Sequence, residues 1–150
     1  TLHTNDAASA VTRLIDIGIE PFLLTATVQG ILAQRLVRRI CGDCKTFFEP
    51  ADDVLRRLGL PAAQVGGRKF AYGKGCQTCN FTGYRGRMAI TEILDVDDRL
   101  REMILGGAST SALQTAAIEN GLVTLRENGL QAVFDGFTTV EELVRETGHG

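Results

Sequence analysis

Cys41-Gly42-Asp43-Cys44 and Cys76-Gln77-Thr78-Cys79 decide how this sequence folds, because between them they hold every cysteine of the chain. Two C-x-x-C knuckles supply four soft thiolates, a set that suits a closed tetrahedral Zn²⁺ site of the structural kind. The knuckles are separated by 31 residues, 45–75, longer than a common zinc ribbon. Closing a longer loop adds only a logarithmic entropy term, so the length does not exclude the site. Three other uses of the same residues stay open. Two disulfides suit a small secreted scaffold, but no basic-then-apolar signal segment precedes these cysteines. A redox pair needs one motif at a helix N-terminus rather than two, and iron–sulfur ligation needs the same four thiolates.

The segment between the knuckles is rich in glycine and basic residues. Its one clear helical stretch is 51–58, ended by Gly59, while Gly66-Gly67 and Gly73-Lys74-Gly75 read as turns. Such a segment is expected to need an external staple. Over 35–87 there are eleven Lys/Arg against four Asp/Glu, whereas the rest of the chain is acidic. A basic middle between acidic flanks marks either an anionic partner, a complementary domain face or simply solvated surfaces.

Outward toward the N-terminus, Val11, Leu14 and Ile15 fall at helical spacing within 7–17, and Asn5 or Asp6 can cap that helix. Pro21 is placed to open a second helix. The apolar run 31–37 is read as a strand, although its periodicity alone does not separate strand from helix. Outward toward the C-terminus, 88–94 reads as a strand leaving the Gly83 and Gly86 turns. A helix started by Asp97 or Asp98 follows, stopped by Gly106-Gly107. Ser111 with Gln114, Thr124 with Glu127 and Thr139 with Glu142 have capping-box spacing, so the last third is expected to be a helical bundle.

The whole chain is 150 residues with 44% hydrophobic and 23% charged residues, which excludes disorder and fibrous repeats. Its small net charge of −2 argues against gross attraction to nucleic acid. No apolar run approaches the roughly 18 residues of a membrane span. It begins at Thr1 without a Met and reads as a piece of something larger. There is no G-x-x-x-x-G-K-[ST] phosphate loop: five places before Gly73-Lys74 stands Arg68, and Gly75 follows. Neither a G-x-S-x-G elbow nor an H-E-x-x-H pair occurs, and His3 and His149 suggest no local dyad. His3 does sit where a strand end meets a helix N-terminus, a junction that favours anions.

Several stretches carry a resemblance. Thr1-Leu2-His3-Thr4-Asn5-Asp6-Ala7, Gln34-Arg35-Leu36-Val37-Arg38, the two knuckles, Thr82-Gly83-Tyr84-Arg85-Gly86-Arg87 and Thr138-Thr139-Val140-Glu141-Glu142 come in this order. The chain resembles the C-terminal part of the type II secretion and type IV pilus assembly ATPases, the general secretory pathway protein E family, over essentially its whole length. The resemblance implies an α/β fold: residues 1–40 as the end of a RecA-like P-loop ATPase core, 41–86 as a tetracysteine zinc-binding subdomain, and 87–150 as a strand with a C-terminal helical bundle. It implies that His3 belongs to a His box near the nucleotide γ-phosphate and that Cys41, Cys44, Cys76 and Cys79 hold structural Zn²⁺. It further implies a homo-hexameric motor using ATP and Mg²⁺, cytoplasmic and peripheral to the inner membrane. Its partners would be inner-membrane platform and cytoplasmic-domain proteins of the secretion or pilus machine, with no nucleic acid. The family's Walker A, Asp box and Walker B are not in this sequence, so the chain alone is expected to be inactive. Two alternatives stand beside this: an independent zinc-ribbon module binding nucleic acid or protein, with Phe70, Tyr72, Phe81 and Tyr84 available for stacking, and a redox or chaperone-like cysteine module.

Overall fold

A computed structural model describes residues 2, 4–59 and 65–148. The chain is mixed α/β and divides into two compact units, Thr1–Gln34 with Thr91–Leu125, and Arg35–Ile90 with Arg126–Gly150. Two long strands, β1 (Gly30–Ile40) and β4 (Tyr84–Asp95), pair with each other, and each contributes residues to both units. The ambiguity over 31–37 is settled as strand by that pairing, since Ala33 and Val37, both buried and four residues apart, would share a face in either element.

In the first unit, α1 (Ala7–Asp16) starts where the Asp6 carboxylate accepts from the Ser9 N–H at 2.7 Å. Its buried face is Ala7, Ala8, Ala10 and Val11, small residues that let it pack on α5 (Thr110–Glu119). The Thr12 and Thr110 hydroxyls meet at 2.6 Å across that contact. Helix α2 (Pro21–Thr27) opens on Pro21, whose missing N–H costs nothing at that position. It packs on α4 (Asp98–Leu105), and the Arg101 guanidinium donates to the Thr25 carbonyl. Asp97 caps α4 through the Leu100 N–H at 2.8 Å. The cap of α5 is Ser109, accepting from the Ala112 N–H, rather than the expected Ser111. The helix starts one turn position earlier because Ser109 follows the Gly106-Gly107 stop directly after Ala108. Leu24, Leu94, Val96, Leu100, Ile104 and Leu113 form the core of this unit.

A carboxylate lies inside that core. Glu92 is 2% exposed, and its two oxygens accept the Ala7 N–H at 2.9 Å and the Leu125 N–H at 3.0 Å. These are the first peptides of α1 and of α6 (Leu125–Phe134), so one carboxylate meets the positive ends of two helices.

The second unit holds the cysteines. Here β2 (Lys45–Phe48) pairs antiparallel with β3 (Phe70–Gly73), in the register Lys45↔Gly73 to Phe48↔Phe70. This pair was not visible in the sequence, and it gives the basic segment more order than its composition suggested. Phe70 is fully buried, with ring contacts to Phe48 at 6.2 Å and Phe134 at 5.9 Å. Burying one such side chain contributes about 2–3 kcal/mol. Helix α3 (Asp52–Leu58) ends on Gly59 in the left-handed conformation, as expected, and packs on α7 (Val140–Thr147). Thus α4 and α5 belong to the first unit, while α7 and nearly all of α6 belong to the second.

Candidate metal centre

The sulfurs of Cys41, Cys44, Cys76 and Cys79 come together within 4.8 Å of one another, and none is in a disulfide. Cys41 leaves the end of β1, Cys44 leads into β2, Cys76 follows β3, and Cys79 closes the 3₁₀ turn Gln77–Cys79. Sulfur–sulfur separations are 3.9 Å for Cys41–Cys76, 3.9 Å for Cys44–Cys79 and 3.7 Å for Cys76–Cys79. A tetrahedral ion with metal–thiolate bonds of about 2.3 Å spaces its sulfurs about 3.8 Å apart. The donor set therefore fits one tetrahedral metal ion. A polynuclear iron–sulfur cluster distributes thiolates over different irons and would spread them further.

Backbone geometry builds this cluster. After Cys79, Asn80 and Phe81 both have positive φ, 49° and 59°, so the chain hooks around the sulfur. That hook brings the Gly83 N–H to the Cys79 Sγ at 3.3 Å, joining the Cys76 N–H at 3.2 Å. Burial pushes the Cys79 thiol up, but these two peptide donors outweigh it and bring it down to about 6. Cys44 is pushed up to about 12, chiefly by burial, against one opposing N–H from Gly75. One thiolate is thus prepared by peptide dipoles while its neighbour needs a cation. Gly73 and Gly83 face each other closely: a Cβ on Gly73 would strike the Gly83 carbonyl, and one on Gly83 would come within 2.5 Å of the Gly73 oxygen. Hence both positions beside the knuckles exclude any side chain.

A second polar cluster joins three of the stretches quoted above. Arg38 donates to Glu142 from its peptide N–H at 2.8 Å and from its guanidinium at 2.6 and 2.9 Å. The guanidinium bonds go to Oε1, and Arg145 donates at 2.8 Å to Oε2, the oxygen that also accepts the Arg38 peptide N–H. Glu142 is 1% exposed; burial pushes its carboxyl up, but Arg38 and then Arg145 hold it below the usual carboxylate range. The Arg38 guanidinium also lies 4.0 Å over the Tyr84 ring, the Tyr84 hydroxyl meets Thr139 at 2.9 Å, and Thr138 donates to the Arg38 carbonyl at 2.8 Å. Thr139 caps α7 through the Glu142 N–H, but the Glu142 carboxylate turns to Arg38, so the expected capping box is only half made.

His3 lies outside the described residues, as does His149. The four cysteines are therefore the sequence-selected site residues that the structure brings together. Sequence reasoning missed the peptide donors to Cys79 and the buried carboxylates Glu92 and Glu142. A signal for Glu92 existed: it sits between Ile90 and Leu94 at strand period two, on the face those apolar residues bury.

The described residues thus give a mixed α/β chain with four cysteines gathered where they could hold a metal ion. The family model described as type II/IV secretion system protein matches residues 1–145, and the chain belongs to that family. It is 48% identical over 147 residues to the type IV pilus assembly ATPase PilB of Thermus thermophilus, covering 98% of this chain and 16% of that relative. It is 47% identical over 148 residues to the type IV pilus assembly ATPase PilB of Myxococcus xanthus, covering 98% and 26%. Against the type II secretion system ATPase E of Vibrio cholerae the identity is 45% over 147 residues, covering 98% and 29%. The chain thus spans less than a third of the length of each of these curated relatives. Among the described residues no helix is long and apolar enough to cross a membrane.

Proposed function

We propose that this chain is the C-terminal part of a hexameric secretion motor that hydrolyses ATP, with Mg²⁺, to drive type II protein secretion or type IV pilus assembly. The observation that carries the reading is the family match across residues 1–145, together with relatives named as ATPases of both machines. Residues 1–40 end a RecA-like core, 41–86 form the zinc subdomain, and 87–150 supply a strand and a C-terminal helical bundle. Cys41, Cys44, Cys76 and Cys79 hold a structural Zn²⁺, a reading supported by sulfur spacings that match a tetrahedral thiolate site. Zinc binding then acts through folding, ordering a basic segment that the chain cannot order as well by apolar burial. His3 acts at the nucleotide γ-phosphate of the assembled motor, which works in the cytoplasm against the inner membrane and its platform and cytoplasmic-domain proteins.

The sequence holds no phosphate loop, so the 150-residue chain alone turns over no ATP. A phosphate-release assay on the isolated chain should stay at background. In the whole motor, His3→Ala should lower the turnover number by tenfold or more with hexamer and zinc content unchanged. Full turnover by the His3→Ala motor would remove the histidine from this reading; hydrolysis by the chain alone would remove its dependence on the rest of the motor. The nucleic-acid alternative is not favoured, since the relatives are secretion and pilus ATPases.

A further inference from the structure

The basic residues of 35–87 have no role in the ATPase reading, yet three of them converge. Arg39 near the end of β1, Lys45 at the start of β2 and Arg85 at the start of β4 line one cavity of about 360 Å³. Ile40, Phe137, Gly42 and Gly136 complete its wall, so no lining residue is acidic. Arg38 and Arg145 of the same unit are ion-paired, Arg38 with Glu142 and Arg145 with Glu142 and Glu146. By contrast, Arg39, Lys45 and Arg85 form no ion pair among the described residues. Two of the three are held by aromatic faces: the Arg39 guanidinium lies 5.3 Å from the Phe137 ring centre and the Lys45 ammonium 5.4 Å from that of Phe47. Gly136 keeps the space clear, since its φ is +70° and a Cβ there would come within 2.8 Å of the Lys45 Nζ.

We propose that this cavity binds a phosphate group, carried either by a soluble phosphomonoester or by a phosphomonoester lipid headgroup. Three unpaired cations gathered in one concavity raise the local positive potential and concentrate anions. A phosphomonoester presents three acceptor oxygens and nearly two charges, so it can take a donor from each of the three strands. A single carboxylate offers only two coplanar oxygens and one charge against the three cations. Ile40 and Phe137 provide apolar wall for the organic group next to the phosphate. The site stands on these residues alone and does not depend on the motor reading.

The test is a titration of inorganic phosphate into the ¹⁵N-labelled full chain at constant ionic strength, with chloride as the balancing anion. Saturable shifts of the Gly42 and Gly136 amides are expected. Arg85→Ala and Lys45→Ala, each checked for an unchanged circular dichroism spectrum and metal content, should each weaken binding tenfold or more. Arg56→Ala, at an exposed position of α3, should leave it unchanged. Sedimentation with phosphatidic acid vesicles separates the sources. Pelleting that Arg85→Ala abolishes assigns a lipid headgroup, whereas phosphate binding with inert vesicles assigns a soluble phosphomonoester. The proposal is overturned if no saturable shift occurs, if the shifts survive both substitutions, or if a polyglutamate peptide moves the same amides at lower concentration than phosphate.

Discussion

The two units bury a carboxylate in opposite ways. In the first, Glu92 is satisfied by two peptide N–H groups, Ala7 and Leu125, and needs no cationic side chain. In the second, Glu142 is held by Arg38 and Arg145, and four cysteine sulfurs within 4.8 Å of one another could hold a metal ion. The first buried carboxylate is thus answered by peptide groups, the second chiefly by guanidinium groups. The difference predicts which unit fails under which insult.

The widest separation should come from metal removal. Chelation, or Cys76→Ser, should release exchange protection over 41–83 while the amides of α4 and α5 stay protected; structural zinc in small domains contributes on the order of 10 kcal/mol. Hydrogen exchange read by mass spectrometry distinguishes this from uniform loss across both units, which would erase the contrast. Next in size is Glu92→Ala, which leaves two buried N–H groups without acceptors. A loss of about 2–5 kcal/mol is expected in urea unfolding, with zinc content unchanged before unfolding. Glu92→Gln keeps one acceptor oxygen and should cost less.

A smaller effect is expected at the charged anchor. Arg38→Ala should destabilise the second unit by about 2 kcal/mol, below the value for a fully buried pair because the arginine is 44% exposed. The same pair fixes a pH dependence. Glu142 has its folded carboxyl below the unfolded value of about 4.3, so its contribution is fully present above that value. It is lost as pH falls through the folded value. The urea midpoint of the wild-type chain should therefore drop more steeply below about pH 4 than that of Glu142→Gln. Least consequential is Arg99→Ala: its pair with Glu119 is exposed at both ends, and the change should stay within about 0.5 kcal/mol.

Much of the first unit could be read from its sequence because its signals are local. Asp6, Pro21 and Asp97 each stand where the structure starts a helix, and Gly106-Gly107 where one stops. The cysteines were readable for another reason: only a few uses exist for two C-x-x-C knuckles. The β2–β3 pair stayed hidden since each strand has four residues and its partner lies more than twenty residues away. Arg38 and Glu142 stayed hidden for the same reason, being 104 positions apart. Capping rules for Thr139 and Glu142 described the helix end correctly but not the competitor for the carboxylate. A local rule cannot anticipate a distant guanidinium.

The register of β2 and β3 bears on how sequence length can change here. Its first rung, Lys45↔Gly73, stands directly beside Cys44 and close to Cys76, and the last, Phe48↔Phe70, lies farther from the cysteines. With the thiolates gathered, the ends of residues 49–69 are already pinned, whatever lies between them. Extra residues inserted at the Gly66-Gly67 turn would enlarge a closed loop at a cost that grows only logarithmically, about 0.6 kcal/mol for each doubling. The paired strands therefore make the Gly66-Gly67 turn the place to test an internal reporter or affinity tag, with the burial of neighbouring Val65 as the contact to preserve.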